Sequence, residues 1–290
     1  MIVLLPVDGS PSSAQASRLV AAYRGERSAL EPLLVNVQRR PVSLWPQPAL
    51  DVRAVDAALH EQGMGVLAPA RAALAEAGFA LRAEVRISIP AQALLDEAAH
   101  KGAGLIVMGT RGMGGLAALG SVATRVVHGA RVPVMLVRQD ARLPAAFGLR
   151  QRVLLAVDGS GHALAAARWL ATRPDWFGEV EVDLVHAQEP LPLIAAMLPP
   201  HGDVLDQWSG RHSRELARPA GEALAEAGIA HELHAAAGEP ARTLARLADE
   251  LRADLVVMGT RGMGAAHHAF IGSVALGTVQ LSPVPVLLIP

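Results

Sequence analysis

Three segments of this chain occur twice, in the same order, and this repetition constrains the fold more than any other feature. They read IVLLPVDGS (returning as RVLLAVDGS), MGTRGMG and VPV. The first copies begin at residues 2, 108 and 132, and the second copies begin at residues 152, 258 and 284. An internal repeat of this length predicts two copies of one domain, joined head to tail.

The repeat also predicts where the domains end. The chain has 290 residues, and a typical domain has ~150. We expect one domain at residues 1–138, a linker at 139–150 that contains Pro144 and Gly148, and a second domain at 151–290.

Each copy alternates short apolar runs with longer stretches of helical pattern. The runs lie at residues 2–7, 33–37, 81–87, 104–108 and 133–137, and then at 152–157, 180–186, 230–235, 254–258 and 285–289. Several contain no polar residue, which suits parallel strands that helices cover on both faces. Ser10 and Ser160 follow the first run of each copy at helix N-cap positions. The pattern predicts an α/β fold with two tandem, doubly wound, five-stranded parallel sheets of strand order 3-2-1-4-5.

Composition excludes several classes of function. The chain has no cysteine, which excludes disulfides, thiolate nucleophiles and cysteine-bound metals. A formal net charge of −1 gives no basic surface for nucleic acid or an acidic membrane. No uncharged apolar run reaches the ~18 residues of a membrane helix, and the N-terminus reads as a strand rather than a signal peptide. We therefore expect a cytoplasmic protein without nucleic-acid or membrane partners.

Two loops of each copy are placed to form a ligand site. Asp-Gly-Ser follows the first strand at Asp8 and Asp158, and Gly-Thr-Arg-Gly ends the fourth strand at Gly109 and Gly259. With strand order 3-2-1-4-5 these loops are neighbours at the point where the winding reverses, which is where open parallel sheets bind ligands. Asp-Gly-Ser alone is also an ordinary turn with a helix cap. The pairing of both loops, twice, favours a nucleotide site.

Other nucleotide motifs fail, and several tempting residues carry less weight. A Walker A loop needs Gly-Lys-Ser/Thr, whereas the only lysine is Lys101. Arg111 and Arg261 are equally consistent with phosphate contacts and with a solvent-facing position. Adjacent histidines such as His267 and His268 are more often exposed than ligating.

The residues around the fourth strand resemble a known family. Gly259-Thr260-Arg261-Gly262, nine further residues and Gly272-Ser273 are similar to the Gly-x2-Gly-x9-Gly-Ser/Thr signature of ATP-binding universal stress proteins. Asp-Gly-Ser, Gly-Glu-Pro before the third helix and the closing Val-Pro-Val strand extend the resemblance over nearly the whole chain.

The resemblance implies which residues contact ATP. The aspartate and the end of the second strand would hold adenine and ribose, and the glycine loop and the next helix start would hold ribose and phosphates. In the second copy the implied residues are Ala156, Asp158, His186, Ala187, Met258, Gly259, Gly262, Gly272, Ser273 and Val274. In the first copy they are Pro6, Asp8, Asn36, Val37, Met108, Gly109, Gly112, Gly120, Ser121 and Val122.

The first copy departs from the signature in one place. Seven residues separate Gly112 from Gly120, whereas nine separate Gly262 from Gly272. A shorter loop is expected to move the helix start at Gly120 relative to Gly112. Our hypothesis is that the second half is the better ATP site and that the first is weaker, altered or empty.

The family likeness implies a cytoplasmic universal stress protein that binds ATP, with Mg²⁺ on the polyphosphate, as a nucleotide-dependent stress-response module. It further implies that residues 132–137 and 284–289 pair the two halves, and it permits a homodimer. Two alternatives remain open, a slow ATPase that uses the same pocket and a nucleotide-free dimerisation scaffold. The enzyme is disfavoured because no lysine is placed for the phosphates and no clear general base is present. No catalytic or metal-ligating residue is assigned.

Overall fold

The chain divides into two compact units in a computed structural model, which describes residues 1–40, 51–112, 119–188, 202–262 and 271–290. One unit contains residues 1–141 and 145–147, and the other contains residues 142–144 and 148–290. The segment expected to be a linker, 139–150, is therefore shared between the two units, and Arg150 already belongs to a strand.

The first unit alternates strands and helices from its first residues onward. In chain order its elements are β1 (Ile2–Pro6), α1 (Pro11–Ala21), β2 (Glu31–Gln38), α2 (Val52–Glu76), β3 (Arg82–Ile87), α3 (Pro90–Lys101), β4 (Leu105–Gly109), α4 (Ser121–Gly129) and β5 (Val134–Val137). The strands pair in parallel in the order β3-β2-β1-β4-β5.

The second unit repeats this arrangement. Its elements are β6 (Arg150–Ala156), α5 (Gly161–Ala171), the short α6 (Pro174–Phe177), β7 (Glu179–Gln188), α7 (Gly202–Glu226), β8 (Ala230–Ala237), α8 (Pro240–Glu250), β9 (Leu255–Gly259), α9 (Ser273–Leu281) and β10 (Val286–Ile289). Its strands pair in parallel in the order β8-β7-β6-β9-β10. The predicted fold class and strand order are thereby confirmed for both copies.

The central strands are buried on both faces, as the uninterrupted apolar runs predicted. Val3, Leu4 and Leu5 are consecutive in β1, and each is 0% exposed. Because successive side chains of a strand point to opposite faces, helices must cover both sides of the sheet. None of the helices within the described ranges is both long and apolar enough to cross a membrane.

Local signals in the sequence set the helix ends beside the strands. Ser10 and Ser160 cap α1 and α5, since each hydroxyl oxygen accepts a hydrogen bond of 3.2 Å from the backbone N–H three residues on. Gly78 ends α2 with a φ of +83°, and Gly228 follows α7 with a φ of +71°. Glycine adopts this left-handed conformation without strain and so stops the helix. The expected caps and helix stops are confirmed.

Charged side chains fasten α3 to the first sheet. Arg86 of β3 donates to Glu97 of α3 over 2.5 Å, and Lys101 of α3 donates to Glu84 of β3 over 2.7 Å. The hydrogen bond from Lys101 holds the pKa of Glu84 below its ordinary value, against the opposing effect of burial.

The second unit has a different set of paired charges, around the buried carboxylate of Asp183. Arg152 of β6 contacts Asp183 of β7 at 2.8 Å, and His234 of β8 contacts the same carboxylate at 2.8 Å. Burial alone would raise the pKa of Asp183. The hydrogen bonds and charges of Arg152 and His234 together have the larger, opposite effect, so the pKa lies below its ordinary 3.8. The repeat positions of Asp183 and Arg152 in the first unit are Leu33 and Ile2.

Candidate functional site

An aspartate lies where the first strand of each unit ends. After β1, Gly9 takes a φ of +81° and turns the chain directly into α1. Asp8 Oδ1 accepts a hydrogen bond of 3.0 Å from the N–H of Ser10. Asp158 is held in the same way by Ser160, at 2.9 Å. In both units one carboxylate oxygen is therefore used to fix the turn, and the other oxygen points elsewhere.

That second oxygen faces the loop after the fourth strand. A Cβ placed on Gly112 would lie 2.7 Å from Oδ2 of Asp8, and one on Gly262 would contact Oδ2 of Asp158. Only glycine permits so close an approach. The two predicted loops are therefore brought together at the carboxyl ends of their strands, in both units.

The next helix begins at the same place in both units. The N–H of Gly120 donates to the carbonyl oxygen of Thr110 at 2.7 Å, and the N–H of Gly272 donates to Thr260 at 2.9 Å. The expected displacement of the first helix start is therefore absent. One backbone hydrogen bond therefore fixes the start of α4 next to β4, although the loop before it is two residues shorter. Residues 113–118 of that loop and 263–270 of its counterpart, with His267 and His268, lie outside the described residues.

These helix starts leave backbone donors available. Among the described residues, no side chain caps α4 at Gly120 or α9 at Gly272. The first N–H groups of an uncapped helix, together with the positive end of its dipole, favour an anion. The site thus has a carboxylate on one side and anion-binding backbone on the other.

A pocket opens between these elements in each unit. Its volume is about 370 Å³ in the first unit and about 400 Å³ in the second. In the first unit the predicted residues that line it are Pro6, Asp8, Val37, Met108, Gly109, Gly112, Gly120, Ser121 and Val122. In the second they are Ala156, Asp158, Ala187, Met258, Gly259, Gly262, Gly272, Ser273 and Val274. The structure thus gathers nine of the ten residues predicted for each copy around one pocket.

The remaining predicted residue of each copy is absent from its pocket lining. Asn36 is 3% exposed, and its side chain donates to the carbonyl oxygen of Val7 at 2.7 Å. His186 is 6% exposed, and its Nδ1 lies 2.8 Å from the hydroxyl of Ser213. Both follow a lining valine in their strand by one residue, so that their side chains lie on the opposite face of the sheet.

Burial also affects the charge of His186. The pKa of His186 lies below its ordinary 6.5, first because burial disfavours the charged ring and then because His212 is nearby, with Asp158 opposing both effects.

The sequence did not predict that one side of each pocket is formed by the helix before the fourth strand of its unit, α3 or α8. Pro90 and Leu94 of α3 line the first pocket, and Pro240 and Leu244 of α8 line the second. The same Pro-x3-Leu spacing, which places both residues on one helix face, recurs in the two copies and is the signal that could have found them.

Two arginines also lie at the pockets. Arg111 lines the first and Arg261 the second. Their position permits contact with a phosphate.

One cluster of acidic and histidine side chains lies outside the described pockets. Among the described residues, Asp183, Glu232 and His234 are close enough together to share a metal ion. Arg152 already occupies the Asp183 carboxylate, and its positive charge opposes a cation there.

Comparison with known proteins identifies relatives of both halves. The model of the universal stress protein family matches residues 1–138 and 150–290. A universal stress protein of Mycolicibacterium smegmatis is 28% identical over 296 residues, covering 99% of this chain and 96% of the relative. A universal stress protein of Thermus aquaticus is 34% identical over 138 residues, covering 47% of this chain and 96% of its own length.

A solved structure shares the complete fold. The crystal structure of a universal stress protein from Archaeoglobus fulgidus superposes with a TM-score of 0.67 at 22% identity, covering 99% of this chain and 95% of that one. The matches span both copies of the repeat, in sequence and in fold. The chain belongs to the universal stress protein family.

Proposed function

We propose that the chain binds ATP in the two pockets, with Mg²⁺ on the polyphosphate, and acts in the cytoplasm as a nucleotide-dependent stress-response module. The observation that carries this proposal is the convergence of Asp158, Gly262 and the uncapped start of α9 on one pocket. The first unit has the same convergence at Asp8, Gly112 and α4.

The chemistry of the pocket suits a nucleotide from end to end. A volume of about 400 Å³ falls within the range of ~300–1,000 Å³ for small-molecule sites. The carboxylate of Asp158 can accept hydrogen bonds from ribose hydroxyls or an amino group of the base, while Val185 and Leu244 offer apolar contact to a ring. Free N–H groups near Ser273 and the charge of Arg261 would face the phosphates. We place Mg²⁺ on the phosphates because no cage of carboxylates lines the described pocket.

A slow ATPase is the second candidate, and its requirements are poorly met. The only lysine, Lys101, pairs with Glu84, and neither residue lines a pocket. Asp158, the acidic residue in the described lining of the second pocket, is assigned to the nucleoside end. Binding with negligible phosphate release would favour the module, whereas turnover that Gly262→Ala and Ser273→Ala abolish would favour the enzyme.

A scaffold without nucleotide is the third candidate. By resemblance, we propose that residues 132–137 and 284–289 pair the two halves, and that a homodimer is a further arrangement of the same surfaces. Such a protein would keep its strands and lose its ligand.

Nucleotide carried through purification would test the proposal directly. The protein is purified without added nucleotide and denatured, and the released nucleotide is quantified per chain by mass spectrometry. Gly120→Glu and Gly272→Glu form a matched pair, because each places a carboxylate at one helix start and should repel phosphate from that pocket only.

We expect ATP to be released from the unmodified chain. Each variant should release less, by the amount of ATP that the substituted pocket would have held. The same comparison ranks the two pockets, the second above the first on the loop-length hypothesis. Absence of nucleotide before and after soaking with Mg-ATP would refute binding and leave the scaffold.

A further inference from the structure

In the first unit, two buried hydroxyls bind the start of the loop that follows β4 to the N-terminal end of α1. Ser12 Oγ donates a short hydrogen bond to the carbonyl oxygen of Arg111, and Ser10 Oγ donates to the same oxygen at 3.0 Å. The N–H of Arg111 in turn donates to Ser12 Oγ at 3.3 Å. Ser10 and Ser12 are only 1% and 3% exposed. Both backbone polar groups of Arg111 are thus bound, one residue before Gly112.

The second unit lacks this tie. His162 stands at the repeat position of Ser12. Ser160 Oγ accepts from the N–H of Ala163 at 3.2 Å, as a helix cap. Within the described residues, neither Ser160 nor His162 makes a hydrogen bond to Arg261. The backbone bonds of the neighbouring residue, Thr260, are the same as those of Thr110 in the first unit. The two pockets therefore share their outline and differ in what fixes it.

The tie occurs in the unit whose loop is shorter. The seven residues between Gly112 and Gly120 must connect anchor points that nine residues connect in the other unit. A shift at the first anchor would move Gly112 away from Asp8, with which it is in close contact. The hydroxyls of Ser10, the N-cap of α1, and of Ser12, in its first turn, bind the residue immediately before Gly112 and would oppose that shift.

We propose that Ser12 is a positioning residue, which holds the Arg111–Gly112 backbone in its ligand-binding geometry and so compensates for the short loop. This inference rests on the proposed binding of ATP. A loop that is fixed before the ligand arrives loses less conformational freedom on binding, which favours affinity. Ser12 acts through the backbone that it holds and does not itself line the pocket.

The test uses the full chain with one pocket closed. In the Gly272→Glu background, ATP binds only at the first pocket. Calorimetry with Mg-ATP and stopped-flow measurement of dissociation are applied to Ser12→Ala and to Ser12→Thr, which keeps the hydroxyl. We expect Ser12→Ala to weaken binding about tenfold, the scale of one or two lost hydrogen bonds. Ser10 still satisfies the Arg111 carbonyl, and only the 3.3 Å bond from the Arg111 N–H loses its acceptor, so the melting temperature of the nucleotide-free protein should fall only slightly.

The second pocket provides the matched control and a gain-of-function test. In the Gly120→Glu background, ATP binds only at the second pocket. We expect His162→Ala to leave its affinity unchanged and His162→Ser to slow ATP dissociation by installing the missing hydroxyl. This comparison decides the question even if Ser12→Ala does not fold.

The outcomes separate the inference from the proposed function. Failure of ATP to bind either pocket of the unmodified chain would refute both. Binding at the first pocket that is the same in Ser12→Ala as in its parent would overturn the role of Ser12 and leave ATP binding intact. Loss in Ser12→Ala, with recovery in Ser12→Thr, would establish it.

Discussion

Gly112 and Asp8 are in such close apposition that a Cβ on the glycine would lie 2.7 Å from Oδ2 of the aspartate. The same relationship holds between Gly262 and Asp158. The loop after the fourth strand therefore depends on the absence of a side chain for its approach to the first strand. Any residue larger than glycine must move the carboxylate or the loop, and both border the pocket.

The first prediction tests this apposition in the second pocket. Gly262→Ala should weaken ATP binding about 10- to 100-fold, if displacing the carboxylate costs the ~1–3 kcal/mol typical of overpacking. Isothermal titration with Mg-ATP in the Gly120→Glu background measures the effect. Gly161→Ala is the control, because a Cβ there meets no atom within 4 Å. Equal affinities in the two variants would contradict the assignment of Asp158 to the ligand.

The second prediction concerns two glycines of one helix. In α2, a Cβ on Gly63 would lie 2.6 Å from Val85 and 2.8 Å from Asn36, whereas one on Gly65 meets nothing within 4 Å. We expect Gly63→Ala to lower the free energy of unfolding by ~1–3 kcal/mol through overpacking. Gly65→Ala should raise it by ~0.5–1 kcal/mol, because alanine is the better helix former. Urea denaturation of both variants measures the difference, and effects of the same sign would refute this packing.

The third prediction concerns the buried carboxylate of the second unit. Asp183→Asn removes a charged partner of Arg152 and His234, and should lower the free energy of unfolding at pH 7 by about 2 kcal/mol. Since the pKa of Asp183 lies below its ordinary 3.8, the stability it adds is present above pH 3.8 and is lost as the pH falls below that value. The difference from the unmodified chain should therefore shrink between pH 5 and pH 2.

Urea titrations across this pH range test the third prediction. Asp249→Asn is the control, since Asp249 forms an exposed ion pair with Arg142 and such pairs contribute ~0–1 kcal/mol. A pH-independent difference for Asp183→Asn would show that its charge is not what stabilises the unit.

The fourth prediction concerns the response of the second unit to mild acid. The pKa of His186 lies below its ordinary 6.5 because the ring is buried and close to His212. The unfolded chain therefore takes up a proton first, and the stability present above pH 6.5 is lost as the pH falls towards the lower folded-state pKa. His186→Asn, which installs the residue of the first copy, should reduce the fall in unfolding free energy between pH 7 and pH 5.

Chemical denaturation at these two pH values measures the fourth effect. His60→Asn provides the control, because it makes the same substitution at an exposed position. The same pH dependence in both variants would argue against a role for His186.

The fold could be predicted from the sequence because its main determinants are local. Buried runs such as 105–108 mark strands, and the serine caps and glycine stops mark helix ends. The repeat then allowed one copy to be checked against the other. The alternation of strands and helices predicted a strand order of 3-2-1-4-5, and that order in turn predicted that the Asp-Gly-Ser and glycine loops are neighbours.

The site was predicted less completely, for reasons that lie in three-dimensional contacts. Strand alternation turns the side chains of Asn36 and His186 away from the pocket, although their chain positions are right. Loop length suggested a displaced helix at Gly120, but a single hydrogen bond to Thr110 fixes the start of α4. The number of residues in the loop gives no information about this hydrogen bond between its two ends.

The different charges buried in the two units mean that the halves are not interchangeable parts. α3 carries Glu97 and Lys101, which find Arg86 and Glu84 on their own sheet. At the repeat positions of Arg86 and Glu84 the second sheet offers Ala236 and His234, so a transplanted α3 would bring its charges to neighbours that cannot neutralise them. Chimaeras made at this helix should therefore be less stable than the unmodified chain, even though the strand order is the same in both units.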